Sequence, residues 1–222
     1  NPTNRATGHF VFETTLPVKG LPNTFNYPIG KKAIEFSDLS VSDLGVLRIT
    51  VLNQLDTVAA ESHPLVIRDG LFGGYWGDMH GQSGESIGIT TSRQYFDFAR
   101  NKSFLDATAH QANDFQINNA FWDYLNDLSA EYNEDGVFVT LPGYEWSGNT
   151  AVGGDRNIYF RTEGRQIRRS SHALLTDRTD LNTDAPNANL LFEALADEDC
   201  VVYAHVGGRY ADAAYAHDPK LE

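Results

Sequence analysis

The sequence predicts an α/β protein: a β-rich module over residues 1–69, followed by a domain over residues 70–222 in which strands and helices alternate. Three observations carry that expectation. Up to about residue 70, short runs alternate apolar and polar residues, and no convincing amphipathic helix interrupts them. Beyond Asp69–Gly70, strand-like runs are separated by helical patterns with recognisable N-caps. Strand–helix–strand at that spacing implies βαβ units and a mainly parallel sheet.

In the front module, His9–Phe10–Val11–Phe12–Glu13 and Leu47–Arg48–Ile49–Thr50–Val51 alternate, and Leu65–Val66–Ile67 is a third short strand. Pro17, Gly20, Pro22, Asn23, Pro28, Gly30 and Gly45 punctuate them, which suggests part of a small sandwich. In the second domain, Tyr75–His80 is a strand running into a Gly/Ser loop. A helix over 91–101 starts at Thr90, Thr91 or Ser92, and Phe104–His110 is the next strand. Ile117, Phe121, Tyr124, Leu125 and Leu128 give a helix over 114–130 its apolar stripe. Val137–Tyr144 and Asn157–Arg161 are strands. A helix over 187–197 follows Pro186, which suits a first turn, and Cys200–Ala204 is a buried-type strand.

A chain of 222 residues can bury a core without staples, and 41% hydrophobic with 21% charged residues is a globular composition. No run of 18 apolar residues is present, so no membrane span is expected. The single cysteine, Cys200, excludes a disulfide framework and every CxxC zinc or redox motif. The 17 basic against 30 acidic residues, a net charge of −13, argue against nucleic acid as a partner. The chain starts at Asn1 without a leader pattern, which leaves a cytoplasmic, periplasmic or secreted location open for a soluble protein.

Function is suggested by where polar residues fall. Ligands of βα architectures bind beyond the carboxyl ends of strands. Four strands end in a metal-ligand type: Asp78 and His80, then His110, Glu145 and His205. Imidazoles with a carboxylate suit Zn²⁺, Mn²⁺ or Fe²⁺, and a metal turns bound water into a nucleophile near neutral pH. Taken singly, each histidine is more often a hydrogen-bonded core or loop residue; the argument is their recurrence on successive strands. Asp78 shares a strand face with His80, as ligand, orienting partner or turn former. Arg156, Arg161, Arg165, Arg168, Arg169 and Arg178 put six of the 17 basic residues within 23 positions. They suit an anionic substrate, the ordinary alternative being a solvated loop with surface ion pairs. His172 is an acid/base candidate beside them. Gly81–Gln82–Ser83–Gly84 lacks the spacing of a serine-nucleophile elbow, and Cys200 fits a buried hydrophobe. Phe25 and Tyr27 are the aromatic candidates for a carbohydrate- or surface-binding role of the front module.

Four segments carry a family resemblance: Tyr75–Glu85 (YWGDMHGQSGE), Ala109–Gln116 (AHQANDFQ), Pro142–Gly148 (PGYEWSG) and Ala204–Arg209 (AHVGGR). From about residue 45 onward the chain resembles domain-of-unknown-function family 3604, which is similar to the polymerase-and-histidinol-phosphatase (PHP) superfamily of metal-dependent hydrolases. The resemblance implies a distorted β/α barrel, of which this chain would hold about the first half, with two or more Zn, Mn or Fe ions in the complete protein. Its ligands would be His80, Gln82, His110, Glu145 as bridging carboxylate, and His205. Gln82 stands where the superfamily has the second histidine of a His-x-His pair, and an amide is the poorer ligand. His172, Arg156 and Asp78 would serve catalysis, and Arg168, Arg169, Arg209 and Asn113 would hold the substrate. The expected activity is attack of metal-activated hydroxide on a small anionic substrate, a phosphoester first. Amide, lactam or other ester hydrolysis on the same site, and a non-catalytic binding or assembly subunit, are the alternatives. Expected partners are that substrate, another chain carrying the rest of the barrel, or further copies of this one.

Overall fold

The computed structural model describes residues 8–28, 34–70, 74–148 and 152–205. The chain divides into two compact units, Asn1–Gly73 and Gly74–Glu222.

In the first unit, β1 (His9–Thr14), β2 (Thr24–Asn26), β4 (Ile49–Leu52) and β5 (Val58–Glu61) form an antiparallel sheet in the order β2-β1-β4-β5, while β3 (Gly45–Leu47) pairs with β6 (Leu65–Ile67). Phe10 and Phe12, two apart on β1, share a face and join one aromatic group. The Phe25 ring stacks on both, with centroids 5.3 and 4.9 Å away, and Phe36 meets it edge-on. Phe25 is therefore used within the unit, packed on Phe10, Phe12 and Phe36. Asn53 shapes the β4–β5 turn, its side-chain oxygen accepting the N–H groups of Leu55 and Thr57.

In the second unit, β7 (Gly77–Gly81), β8 (Ala107–His110) and β9 (Val139–Thr140) form a parallel sheet in that order. The helices α1 (Ser92–Asn101) and α2 (Asn119–Tyr132) make the two crossovers. Thr91 caps α1 in a reciprocal box with Gln94. The second helix starts later than its apolar stripe suggests: Asp114–Gln116 is a 3-10 turn, and Asn118 is the cap, accepting the Phe121 N–H at 2.8 Å. The third helix, α3 (Ala188–Leu195), is capped by Asn187, so Pro186 stands ahead of the cap and not in the first turn.

The continuous strand expected over Val137–Tyr144 is broken. Leu141 still donates to the Thr108 carbonyl, while the Pro142 carbonyl accepts from Phe160. Pro142 has no N–H to continue the first ladder, so the chain changes sheets there. From that point the architecture is antiparallel: β10 (Gly143–Trp146), β11 (Arg156–Phe160) and β12 (Cys200–Ala204) pair in sequence order.

The expected β/α barrel is thereby corrected. The described residues form four small sheets with no closed barrel, and at 28% strand against 21% helix the chain is mostly β-sheet. The reason is local. The connection from β10 to β11 contains no described helix and returns antiparallel, and β12 also lies antiparallel to β11 despite α3 before it. Alternating strand and helix signals do not by themselves fix strand direction.

One face of the β10-β11-β12 sheet is the core. Tyr144, Trp146, Ile158, Phe160 and Val202 pack there with Ile117, Trp122 and Leu125 from the second helix region and Leu191 and Leu195 from the third. Its aromatic polar ends are all satisfied: Trp122 Nε1 donates to the Arg165 carbonyl, Trp146 Nε1 to the Ala185 carbonyl, and the Tyr144 hydroxyl accepts the Arg168 N–H. These bonds pin the long 161–187 connection over the core. No helix among the described residues is long and apolar enough to cross a membrane.

Candidate metal centre

Sheet register decides which polar residues can meet. Antiparallel partners share a face, and successive residues alternate faces. Tyr144 pairs with Ile158 and Val202, on the core face. Glu145 pairs with Asn157 and Tyr203, so these three stand on the opposite face. His205, two residues beyond Tyr203, follows the same alternation, and its N–H donates to the Asp155 carbonyl at 3.0 Å. From β7, His80 reaches the same face and sets its Nδ1 2.8 Å from Asn157 Oδ1.

The result is a three-residue cluster. Ligand atoms of His80, Glu145 and His205 lie within 4.8 Å of one another. His80 Nε2 is 3.5 Å from Glu145 Oε2, and His205 Nδ1 is 3.2 Å from Oε1. The two rings stack with centroids 4.2 Å apart. Because Asn157 presents an oxygen to Nδ1 of His80, that nitrogen carries the proton, and Nε2 keeps its lone pair for a ligand.

Glu145 is the electrostatic centre. Burial pushes its carboxyl up to about 7; His80 and Asn113 pull it down, while Asp155 and Asp114 push it further up. Its Oε2 accepts from Asn113 Nδ2 at 3.0 Å and Gln82 Nε2 at 3.3 Å. Backbone bonding holds it in place as well, since its N–H donates to the Ala112 carbonyl at 2.9 Å.

The donor set fits a divalent transition metal. Two imidazoles and a carboxylate are the ligands such ions take, and ligands about 2.1 Å from a tetrahedral ion stand about 3.4 Å from each other. Each imidazole stands near that distance from one oxygen of Glu145, His80 from Oε2 at 3.5 Å and His205 from Oε1 at 3.2 Å. A cation here would also relieve the burial cost that raises the Glu145 carboxyl.

The other expected site residues fall differently. His110 is not brought into the cluster. It is buried at the end of β8 among Tyr95, Phe96 and Phe121, and neither ring nitrogen has a hydrogen-bond partner. Burial lowers its pKa to about 4. Asp78 accepts the His80 N–H at 3.1 Å, which orients the strand end instead of adding a ligand. Gln82 and Asn113 touch Glu145 as donors.

The arginine and histidine roles need correction. Arg156 pairs in register with Trp146, on the core face, and its guanidinium lies 5.8 Å from the Phe192 ring centroid; it points away from Glu145. Arg169 is 1% exposed and fully engaged inside, donating to the Ile117 carbonyl, Asp180 and Asn119. His172 sits between Asp180 and Asp184, at 2.9 and 2.7 Å. Arg168 donates its backbone N–H to Tyr144, on the core side. Arg209 lies outside the described residues.

Sequence reasoning missed Asn157 and Ser86. Asn157 had a signal: it is the polar residue in the otherwise apolar run Asn157–Phe160, one position from a charged one. Ser86 had none, because its contact with Gln82 depends on a loop.

An uncharacterised protein of Chlamydia pneumoniae is 29% identical over 91 residues, which are 40% of this chain and 14% of that protein. The chain thus spans a small part of that relative's length. No solved structure matches. Residues 61–200, carrying His80, His110 and Glu145, match the model of a family described as protein of unknown function (DUF3604), and the chain belongs to that family.

Proposed function

We propose that the protein is a metal-dependent hydrolase in which His80, Glu145 and His205 hold a divalent transition-metal ion, acting on a small anionic substrate, a phosphoester first. The observation that carries this reading is the convergence of two imidazoles and one buried carboxylate within 4.8 Å on a single sheet face. When bound, such an ion supplies a Lewis acid and a lowered pKa for water.

The chain's own residues support that chemistry by positioning. Asn157 sets the tautomer of His80, Asp78 fixes the backbone at His80, and Asn113 holds Glu145 against Ser147 through its amide, 2.9 Å from Ser147 Oγ. With Arg156 and Arg169 committed to the core, attraction of an anion rests on the cation.

Metal analysis by mass spectrometry on protein purified without chelator tests the reading. At least one Zn, Mn or Fe per chain is expected, lost in His80→Ala and Glu145→Ala. Metal-loaded protein is then screened against phosphomonoesters, phosphodiesters, other esters and amides. Absence of metal after adding Mn²⁺ or Zn²⁺ overturns the proposal.

A further inference from the structure

We propose that Tyr159 is a positioning residue for the metal centre: its hydroxyl holds the backbone bulge at Met79–His80 and with it the aim of the His80 ring toward Glu145 and His205. The inference rests on the metal-binding reading above. It starts from an irregular step in β7. The register runs Gly77–Ala107, Asp78–Thr108 and then Gly81–His110, three residues on β7 against two on β8. A bulge of this kind inserts one residue and re-aims a side chain. Met79 and His80 stand inside it, and the His80 ring reaches across to the antiparallel sheet, where Asn157 meets its Nδ1 at 2.8 Å.

Backbone groups in a bulge still need partners. On either side of it, the Trp76 carbonyl accepts from Asp106 and Ala107, and the Gly81 carbonyl from the Gln111 N–H. Within it the partners are side chains. Thr108 Oγ1 donates to the Asp78 carbonyl at 2.8 Å, and the His80 N–H donates to Asp78 Oδ1 at 3.1 Å. The Met79 carbonyl, which shares its peptide group with the His80 nitrogen, accepts from the Tyr159 hydroxyl.

Tyr159 is itself fixed. It is 4% exposed, and its ring stacks on Tyr203 with centroids 5.4 Å apart. A phenol has one hydrogen, and that of Tyr159 goes to Met79, so the Tyr203 hydroxyl donates to Tyr159 at 2.7 Å. Tyr159 stands two residues from Asn157 on β11, on the same face. This strand therefore grips His80 at two points, the ring through Asn157 and the preceding carbonyl through Tyr159.

The test reads His80 and the metal separately. Met79 is the chain's single methionine, so carbonyl-¹³C methionine with ¹⁵N histidine gives the full chain one carbonyl–amide NMR cross-peak, from Met79–His80. Ring ¹⁵N signals of the same samples report the His80 tautomer, assigned by their loss in His80→Gln, and Zn²⁺ titration reports affinity. Tyr159→Phe deletes only the hydroxyl. It is expected to shift the cross-peak, to mix the His80 tautomers and to lower Zn²⁺ affinity about tenfold, with an unchanged circular dichroism spectrum. Tyr203→Phe leaves the Tyr159–Met79 bond in place and is expected to keep the cross-peak and the affinity of wild type. Folded Tyr159→Phe with a wild-type cross-peak, or with wild-type affinity, overturns the inference; lost stability alone makes Tyr159 a staple between sheets. Equal losses in both variants overturn the assignment to Tyr159. Should Tyr159→Phe fail to fold, wild type carrying 3-fluorotyrosine, a stronger donor, is expected to shift the same cross-peak, and an unmoved signal overturns the inference. A wild-type chain that binds no Zn²⁺ or Mn²⁺ overturns the metal reading, while the cross-peak and ring signals still decide whether Tyr159 sets His80.

Discussion

His80 and Asn157 link the parallel and antiparallel sheets of the second unit through a side-chain contact, Nδ1 to Oδ1 at 2.8 Å. That contact decides which nitrogen of His80 is free. Asn157→Ala leaves Nδ1 without its acceptor, so both tautomers and more ring orientations become available. Loss of an outer partner of this kind costs about 10–100-fold in metal affinity. Titration of Mn²⁺ or Zn²⁺ into wild type and variant, with circular dichroism to confirm the fold, checks it.

What could be read in advance divides along physical lines. Helices announce themselves locally, through Thr91 at the start of the first and the Phe121–Leu128 stripe of the second, while the pattern points to an earlier start and to Pro186 in place of the caps Asn118 and Asn187. His80, Glu145 and His205 were legible as strand-end residues; His80 and Glu145 stand one position before the ends of β7 and β10, and His205 just after β12. Strand direction was not, since nothing local distinguishes a returning β11 from a parallel one. Register was not either. Arg156 and Asn157 are neighbours with opposite destinies, and only the pairing Glu145–Asn157 tells which faces the site. His110 shows the same limit: a strand-end histidine next to Gly81 in the ladder turned into an aromatic pocket.

That pocket makes a prediction for His110. Its ring is held neutral by burial, with a folded pKa of about 4 against 6.5 in the unfolded chain. The unfolded chain therefore binds more protons between those values, and stability falls as pH drops from about 6.5 toward about 4. A depression of that size is worth about 3 kcal/mol. His110→Leu removes this loss together with two unpaired buried nitrogens, so its stability relative to wild type rises as pH falls through that window. Urea unfolding at pH 7, 5.5 and 4.5 checks the slope. Metal content of His110→Leu is expected to equal that of wild type.

Gly81 follows His80 directly, and a Cβ there would collide with the Tyr95 ring. Tyr95 has little freedom to withdraw, because its hydroxyl is 2.5 Å from Thr108 Oγ1 and 3.3 Å from the Ala109 carbonyl. Gly81→Ala is expected to destabilise the chain by about 1–3 kcal/mol, the usual cost of overpacking. Because the displaced backbone carries His80, metal affinity should fall in step. Thermal unfolding and metal titration on one preparation check both. Unchanged stability would show that Tyr95 repacks freely.

Arg169 carries the last prediction, which separates structure from catalysis within the 161–187 connection. Its buried guanidinium is neutralised by Asp180 at 2.7 Å and also serves the Ile117 carbonyl and Asn119. Burial pushes the Asp180 carboxyl up, but bonds from Arg169, His172 and Asn119 outweigh it and hold it down to about 2. Asp180 is therefore charged at all ordinary pH values and needs its cation. Arg169→Met removes the cation and leaves that carboxylate without its strongest partner. Breaking such a buried pair costs about 3–5 kcal/mol. The Asp180→Asn/Arg169→Met double variant removes both charges and should recover part of that loss. Neither change touches a residue bonded to Glu145, so metal bound per folded chain is expected to stay at the wild-type value. A drop in metal content without loss of stability would instead assign Arg169 to the site.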